Sequence, residues 1–143
     1  MQNPFGQTIT VDDLIDTLGF FDSWEDKYKY IIDLGKELPP LDEKLKDETH
    51  LVRGCQSQVW IDYSVEEGKL WFNADSDAFI VKGLLGLVLA AFNNKKPQEV
   101  LAFDIENYFE TLGLMNHLSS TRSNGIRAMV KRVQSIAEHQ LQA

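Results

Sequence analysis

"QVWIDYSVEEGKLWFNA", residues 58–74, fixes the class of architecture for this chain. Val59, Ile61, Tyr63 and Val65 alternate with Gln58, Trp60, Asp62 and Ser64, the period-two pattern of a strand with one face turned to a core. After "EEGK", residues 66–69, the alternation resumes, with Leu70, Phe72 and Ala74 on one side and Trp71 and Asn73 on the other. A Gly-containing turn between two such runs predicts an antiparallel hairpin. His50 to Arg53 offers a short third strand, so a sheet of two to three strands is expected.

Outward from the hairpin the periodicity becomes helical. Thr10 reads as an N-cap, Asp12 and Asp13 suit the positive first turn, and Gly19 stops that helix after Leu18. Ser23 caps a second helix, with Asp26 three residues on. Its stripe runs through Trp24, Tyr28, Ile31, Ile32 and Leu38 until Pro39 and Pro40 end it. Residues 39–50 are polar and read as a loop. "AFIVKGLLGLVLAAF", residues 78–92, is apolar on nearly every face, yet it has only 15 residues and is interrupted by Lys82. A membrane-spanning helix needs about 20, so a buried central helix is expected, opened by Asp75 or Ser76 and ending near "NNKK". Lys82 either snorkels to the surface or faces a site. Pro97 starts one or two short helices over 97–113. "LSSTRSNG", residues 118–125, reads as a turn, and Ile126, Met129, Val130, Val133, Ile136 and Ala137 mark a final amphipathic helix. The expected class is α+β, a small antiparallel sheet packed against several helices, in one domain over 1–143.

Composition narrows the function classes. The chain has 143 residues, 43% of them hydrophobic and 25% charged, as in an ordinary globular domain. Its net charge of −8, from 22 acidic and 14 basic residues, disfavours a nucleic-acid binder that works by phosphate neutralisation. The charge is uneven: residues 1–48 carry 12 acidic and 5 basic side chains, whereas Arg122, Arg127, Lys131 and Arg132 form a basic stretch near the other end. Such a stretch either steers a partner or is a solvated helix face. "MQNPFGQTIT" shows no secretory pattern, and a lone cysteine suits a reducing compartment, so a cytoplasmic location is expected.

That cysteine, Cys55 in "LVRGCQSQVW" (residues 51–60), is the candidate for chemistry. Gly54 permits a backbone turn that a β-carbon resists, which puts the thiol on a tight loop entering the first strand. Gln56, Ser57 and Gln58 follow with hydrogen-bonding groups. Arg53, two residues away, is placed to favour thiolate over thiol.

"RGCQSQVW" (53–60), "DSDAFIVKGL" (75–84) and "STRSNG" (120–125), in this order after "WEDKYKYIIDLGKELP", closely resemble the SufE family of sulfur acceptor proteins, including its CsdE branch. The likeness runs from about Trp24 to the last helix. It implies a SufE/IscU-like fold and a partnership with a pyridoxal-phosphate cysteine desulfurase of the SufS or CsdA kind. Cys55 would accept persulfide sulfur from that enzyme and pass it to an iron–sulfur scaffold or to tRNA modification. The resemblance implies no cofactor or metal of the chain's own, the pyridoxal phosphate belonging to the partner; the net charge and the short apolar segment argue against nucleic acid or a membrane as partner. It also implies a sheltered cysteine loop with supporting roles for Gly54, Gln56, Asp77 as an anchor at the helix start and Arg122 as a polar or cationic contact. Two rivals stand beside it: a cysteine hydrolase pairing Cys55 with His50, His117 or His139 and with Asp104, and a noncatalytic adaptor or scaffold, for which one cysteine is a poor ligand set.

Overall fold

The computed structural model describes residues 3–142. Its elements are α1 (Val11–Phe20), α2 (Trp24–Gly35), β1 (Val59–Glu66), β2 (Lys69–Ser76), α3 (Phe79–Phe92), α4 (Pro97–Ala102), α5 (Ile105–Leu112) and α6 (Ser120–Gln142), with 3-10 turns at Glu43–Leu45 and Met115–His117. The fold is α+β, as expected.

The hairpin forms about the expected turn, but the expected core face holds only in part: Tyr63 and Val65 are exposed, and Trp71, on the other face from Leu70 and Phe72, is buried. Val59 faces Ser76, Ile61 faces Ala74 and Glu66 faces Lys69, which leaves Glu67 and Gly68 as a two-residue turn. Both turn residues have positive φ (55° and 79°), the backbone that matches strand twist in a tight hairpin. The third strand is reduced to one bridge, Leu51 with Trp60, flanked by hydrogen bonds from the Val52 amide to the Val59 carbonyl (2.8 Å) and from the Ile61 amide to the His50 carbonyl (3.0 Å).

Helix α3 is central: β2, α2, α6 and α1 all pack on it, and from Ile80 to Phe92 only Lys82 is not buried. Its glycines set the packing distance to α2. A β-carbon on Gly83 would lie 2.0 Å from the Ile31 carbonyl oxygen, so the backbones approach as only glycine allows. Lys82 does not face the candidate site; it pairs with Asp75 at 3.4 Å.

The expected caps form at Thr10, where a capping box closes with Asp13, and at Ser23, which accepts from the Asp26 amide at 3.1 Å. Several expected helix ends move. Helix α1 passes through Gly19 to Phe20, and α2 stops at Gly35, short of Leu38. Asp75 and Ser76 finish β2 instead of opening α3. The largest correction is "LSSTRSNG": Ser120 to Gly125 are the first turns of α6, because the Ser119 hydroxyl accepts from the Arg122 amide at 3.2 Å and its carbonyl accepts from the Ser123 amide at 2.9 Å. The same Ser-rich composition that favours a turn here supplies a cap.

Candidate functional site

Cys55 sits on the loop of residues 53–58, closed at its base by the Val52–Val59 hydrogen bond. Gly54 carries φ +95°, the left-handed conformation that lets the chain reverse just before the thiol. The far end of the loop is tied to the β2–α3 connection twice: the Gln58 amide donates to Asp77 Oδ1 (3.1 Å) and the Asp77 amide donates to the Gln58 carbonyl (3.3 Å). Asp77 therefore holds the cysteine loop and does not cap α3, whose N-cap, Ala78, offers no side-chain bond.

The thiol is half-buried. It opens on a cavity of about 200 Å3 between the loop, α3 (Val81, Leu84), the capping Ser119 and the amino-terminal part of α6 (Thr121, Arg122, Gly125, Met129). Among the described residues its one polar contact is a weak bond in which Sγ–H donates to the Gly125 carbonyl at 3.5 Å. Gly125 makes this proximity easy, since even a β-carbon there would meet Cys55 Sγ at an ordinary 3.8 Å. Burial pushes the Cys55 thiol pKa up, so the resting group is held protonated. This corrects the expectation for Arg53: it lines a separate groove with Ala128, Lys131 and Arg132, and desolvation governs the thiol.

Of the expected site residues, the structure brings Cys55, Gln56 and Arg122 around one cavity, with Gly54 adjoining and Asp77 one hydrogen bond behind. The Arg122 guanidinium forms no hydrogen bond or ion pair among the described residues. It stands beside the amino end of α6, where the helix dipole adds positive potential. Val81, Leu84, Gly125 and Met129 are site residues that the sequence does not single out. The first two carry an i, i+3 spacing and the last two an i, i+4 spacing that marks them only as core.

The hydrolase constellation does not assemble. His50 is held between Asp47 (2.8 Å) and Asp62 (3.4 Å), and His117 stacks on Trp24 at 4.8 Å between ring centres. His139 lies on α6 about 21 Å along the helix axis from Gly125. Asp104 caps α5 through the Asn107 amide. None of them lines the Cys55 cavity. No helix among the described residues is long and apolar enough to cross a membrane.

Residues 12–137 match the SufE family, described as an Fe-S metabolism associated domain. The chain belongs to the SufE family. This SufE-family chain is 43% identical over 138 residues to an uncharacterized SufE-like protein of Rhizobium meliloti (strain 1021), covering 94% of this chain and 99% of the relative. It is 44% identical over 133 residues to a second such protein of Rhizobium etli, covering 90% of each. The solution structure of a hypothetical protein from Thermus thermophilus superposes with a TM-score of 0.75 at 20% identity, covering 100% of both chains, which establishes the shared fold alone. Membership associates the chain with iron–sulfur metabolism.

Proposed function

We propose that this SufE-family chain is a covalent sulfur carrier. Cys55 takes the terminal sulfur of a persulfide held on a pyridoxal-phosphate cysteine desulfurase, stimulates that enzyme by clearing its cysteine, and delivers the sulfur for iron–sulfur cluster assembly. One observation carries the reading: the single thiol of the chain faces a cavity, on a loop held by few bonds.

The chemistry needs no more than that thiol. Cys55 gives up its proton, and the thiolate attacks the outer sulfur of the donor's S–S–H group. The donor's S–S bond breaks as a new one forms on Cys55, and the donor cysteine leaves as thiolate and takes up a proton. Atoms and electrons balance without an oxidant or metal. With no second cysteine, the chain cannot convert its own persulfide into a disulfide. The cavity of about 200 Å3 far exceeds the ~10–15 Å3 that one water requires, so an added sulfur fits inside it. There the persulfide is screened from solvent thiols, while the Arg122 cation and the amino end of α6 suit its negative charge. Attack itself requires the loop to leave the apolar wall, because the sheltered thiol is protonated.

Incubation with a cysteine desulfurase and cysteine is expected to add the mass of one sulfur atom to the peptide containing Cys55, and Cys55→Ser should abolish both the adduct and the stimulation. Sulfur found on no residue of the chain, or full stimulation by Cys55→Ser, overturns the carrier reading and leaves an adaptor.

A further inference from the structure

Resting on the carrier reading, we propose that the groove beside the Cys55 loop is where an acidic segment of the sulfur-donating desulfurase docks. The groove, about 530 Å3, presents Arg53 from the loop and Lys131 and Arg132 from α6 against a single lining carboxylate, Glu48. Arg53 and Lys131 are exposed and form no hydrogen bond or ion pair among the described residues. Arg132 is held in place by donating to the Thr49 (2.7 Å) and Leu51 (3.2 Å) carbonyls, which orient its guanidinium without neutralising it. Elsewhere Lys46, Lys82 and Arg127 are each matched by carboxylates.

The rest of the molecule sharpens the effect. On a chain of net charge −8, a partner's acidic segment is repelled over most of the surface and attracted where these cations converge. The attraction is placed usefully. A β-carbon on Gly54 would meet the Ala128 β-carbon at 3.3 Å, so the backbone immediately before Cys55 rests on the groove wall. A segment pairing with Arg53 therefore grips the root of the cysteine loop. The donor is the partner that needs this grip, because it meets Cys55 as an unloaded, half-buried thiol. A polyanion such as RNA would find only three cations and an opposing carboxylate.

The test is single-turnover sulfur transfer from a persulfide-loaded cysteine desulfurase to the full chain, at about 0.01 M and about 1 M salt, where the Debye length falls from about 30 to about 3 Å. Arg53→Glu/Lys131→Glu is expected to lower the second-order rate about tenfold at low salt and to flatten the salt dependence. Reaction of Cys55 with uncharged iodoacetamide should stay within about twofold of the parent, showing that fold and thiol persist. Lys44→Glu/Lys96→Glu makes the same change in net charge outside the groove and should retain the steep salt dependence. An unchanged rate and salt slope in the groove variant, with Cys55 still loaded, overturns the docking proposal alone. So does loss of binding to a labelled RNA hairpin with transfer unaffected. Absence of transfer to the parent chain overturns the carrier reading and the docking surface with it.

Discussion

Cys55 is held by few directional contacts: one 3.5 Å bond to a carbonyl, with the flanking loop fixed mainly through Asp77 and Gln58. The electrostatic consequence has a definite sign. Burial raises the thiol pKa, so at neutral pH the thiolate fraction lies below that of an exposed cysteine. The pH–rate profile for alkylation of the resting protein should therefore have its midpoint above the ~8.5 of free cysteine. A midpoint at or below that value would mean that a cation, Arg122 foremost, outweighs desolvation. Gly54, Cys55 and Gln56 are legible in the sequence because their neighbours in the chain are also their neighbours in space. Arg53 is misleading for the converse reason: two residues along the chain, its side chain belongs to a different groove.

Two helical glycines show how one residue type serves opposite ends. Gly83 of α3 is in contact with α2, with no space for a β-carbon, whereas Gly125 of α6 faces the Cys55 cavity with space to spare. Gly83→Ala should cost about 1–3 kcal/mol by overpacking. Gly125→Ala should gain up to about 1 kcal/mol, since alanine is the better helix former and the new methyl only touches Sγ. Urea unfolding of both variants checks the contrast; equal losses would show that α6 needs glycine for more than room. The hairpin and its turn are readable because alternation and turn chemistry are local. The start of α6 is not, because a Ser-, Asn- and Gly-rich segment suits both a turn and a capped helix, and packing against the cysteine loop accompanies the helical outcome.

Two polar residues tie the whole molecule together. Asn93, fully buried, accepts from the Phe72 amide (2.7 Å) and donates to the Phe5 (3.1 Å) and Phe72 (3.4 Å) carbonyls, joining the end of α3, β2 and the segment before α1. Asn93→Ala leaves the Phe72 amide and the Phe5 carbonyl unpaired, while the Phe72 carbonyl keeps the Asn3 amide at 2.9 Å, and should cost about 3 kcal/mol in urea unfolding; a loss below about 1 kcal/mol would mean that solvent replaces the amide. Asp75 links the 39–50 segment to α3 through Lys46 (2.9 Å) and Lys82 (3.4 Å). Burial pushes its carboxyl up, but the Lys46 hydrogen bond, the Ser76 amide and the charges of Lys82 and Lys46 together hold it below the usual range. Its stabilisation is thus present above the unfolded carboxyl pKa near 4 and is lost as pH falls through the lower folded value. The melting temperature should decline between about pH 4 and pH 2, and Asp75→Asn should flatten part of that decline; an unaltered slope would assign the acid sensitivity to other carboxylates. The hairpin, the buried α3, the solitary thiol and the family could all be read from the linear chain, because each rests on local periodicity or on contiguous motifs. The side chains around Cys55, the burial that keeps it protonated, and the roles of Asn93 and Asp75 in fastening distant segments emerge only in the folded molecule, because desolvation and hydrogen bonding depend on neighbours that folding brings together.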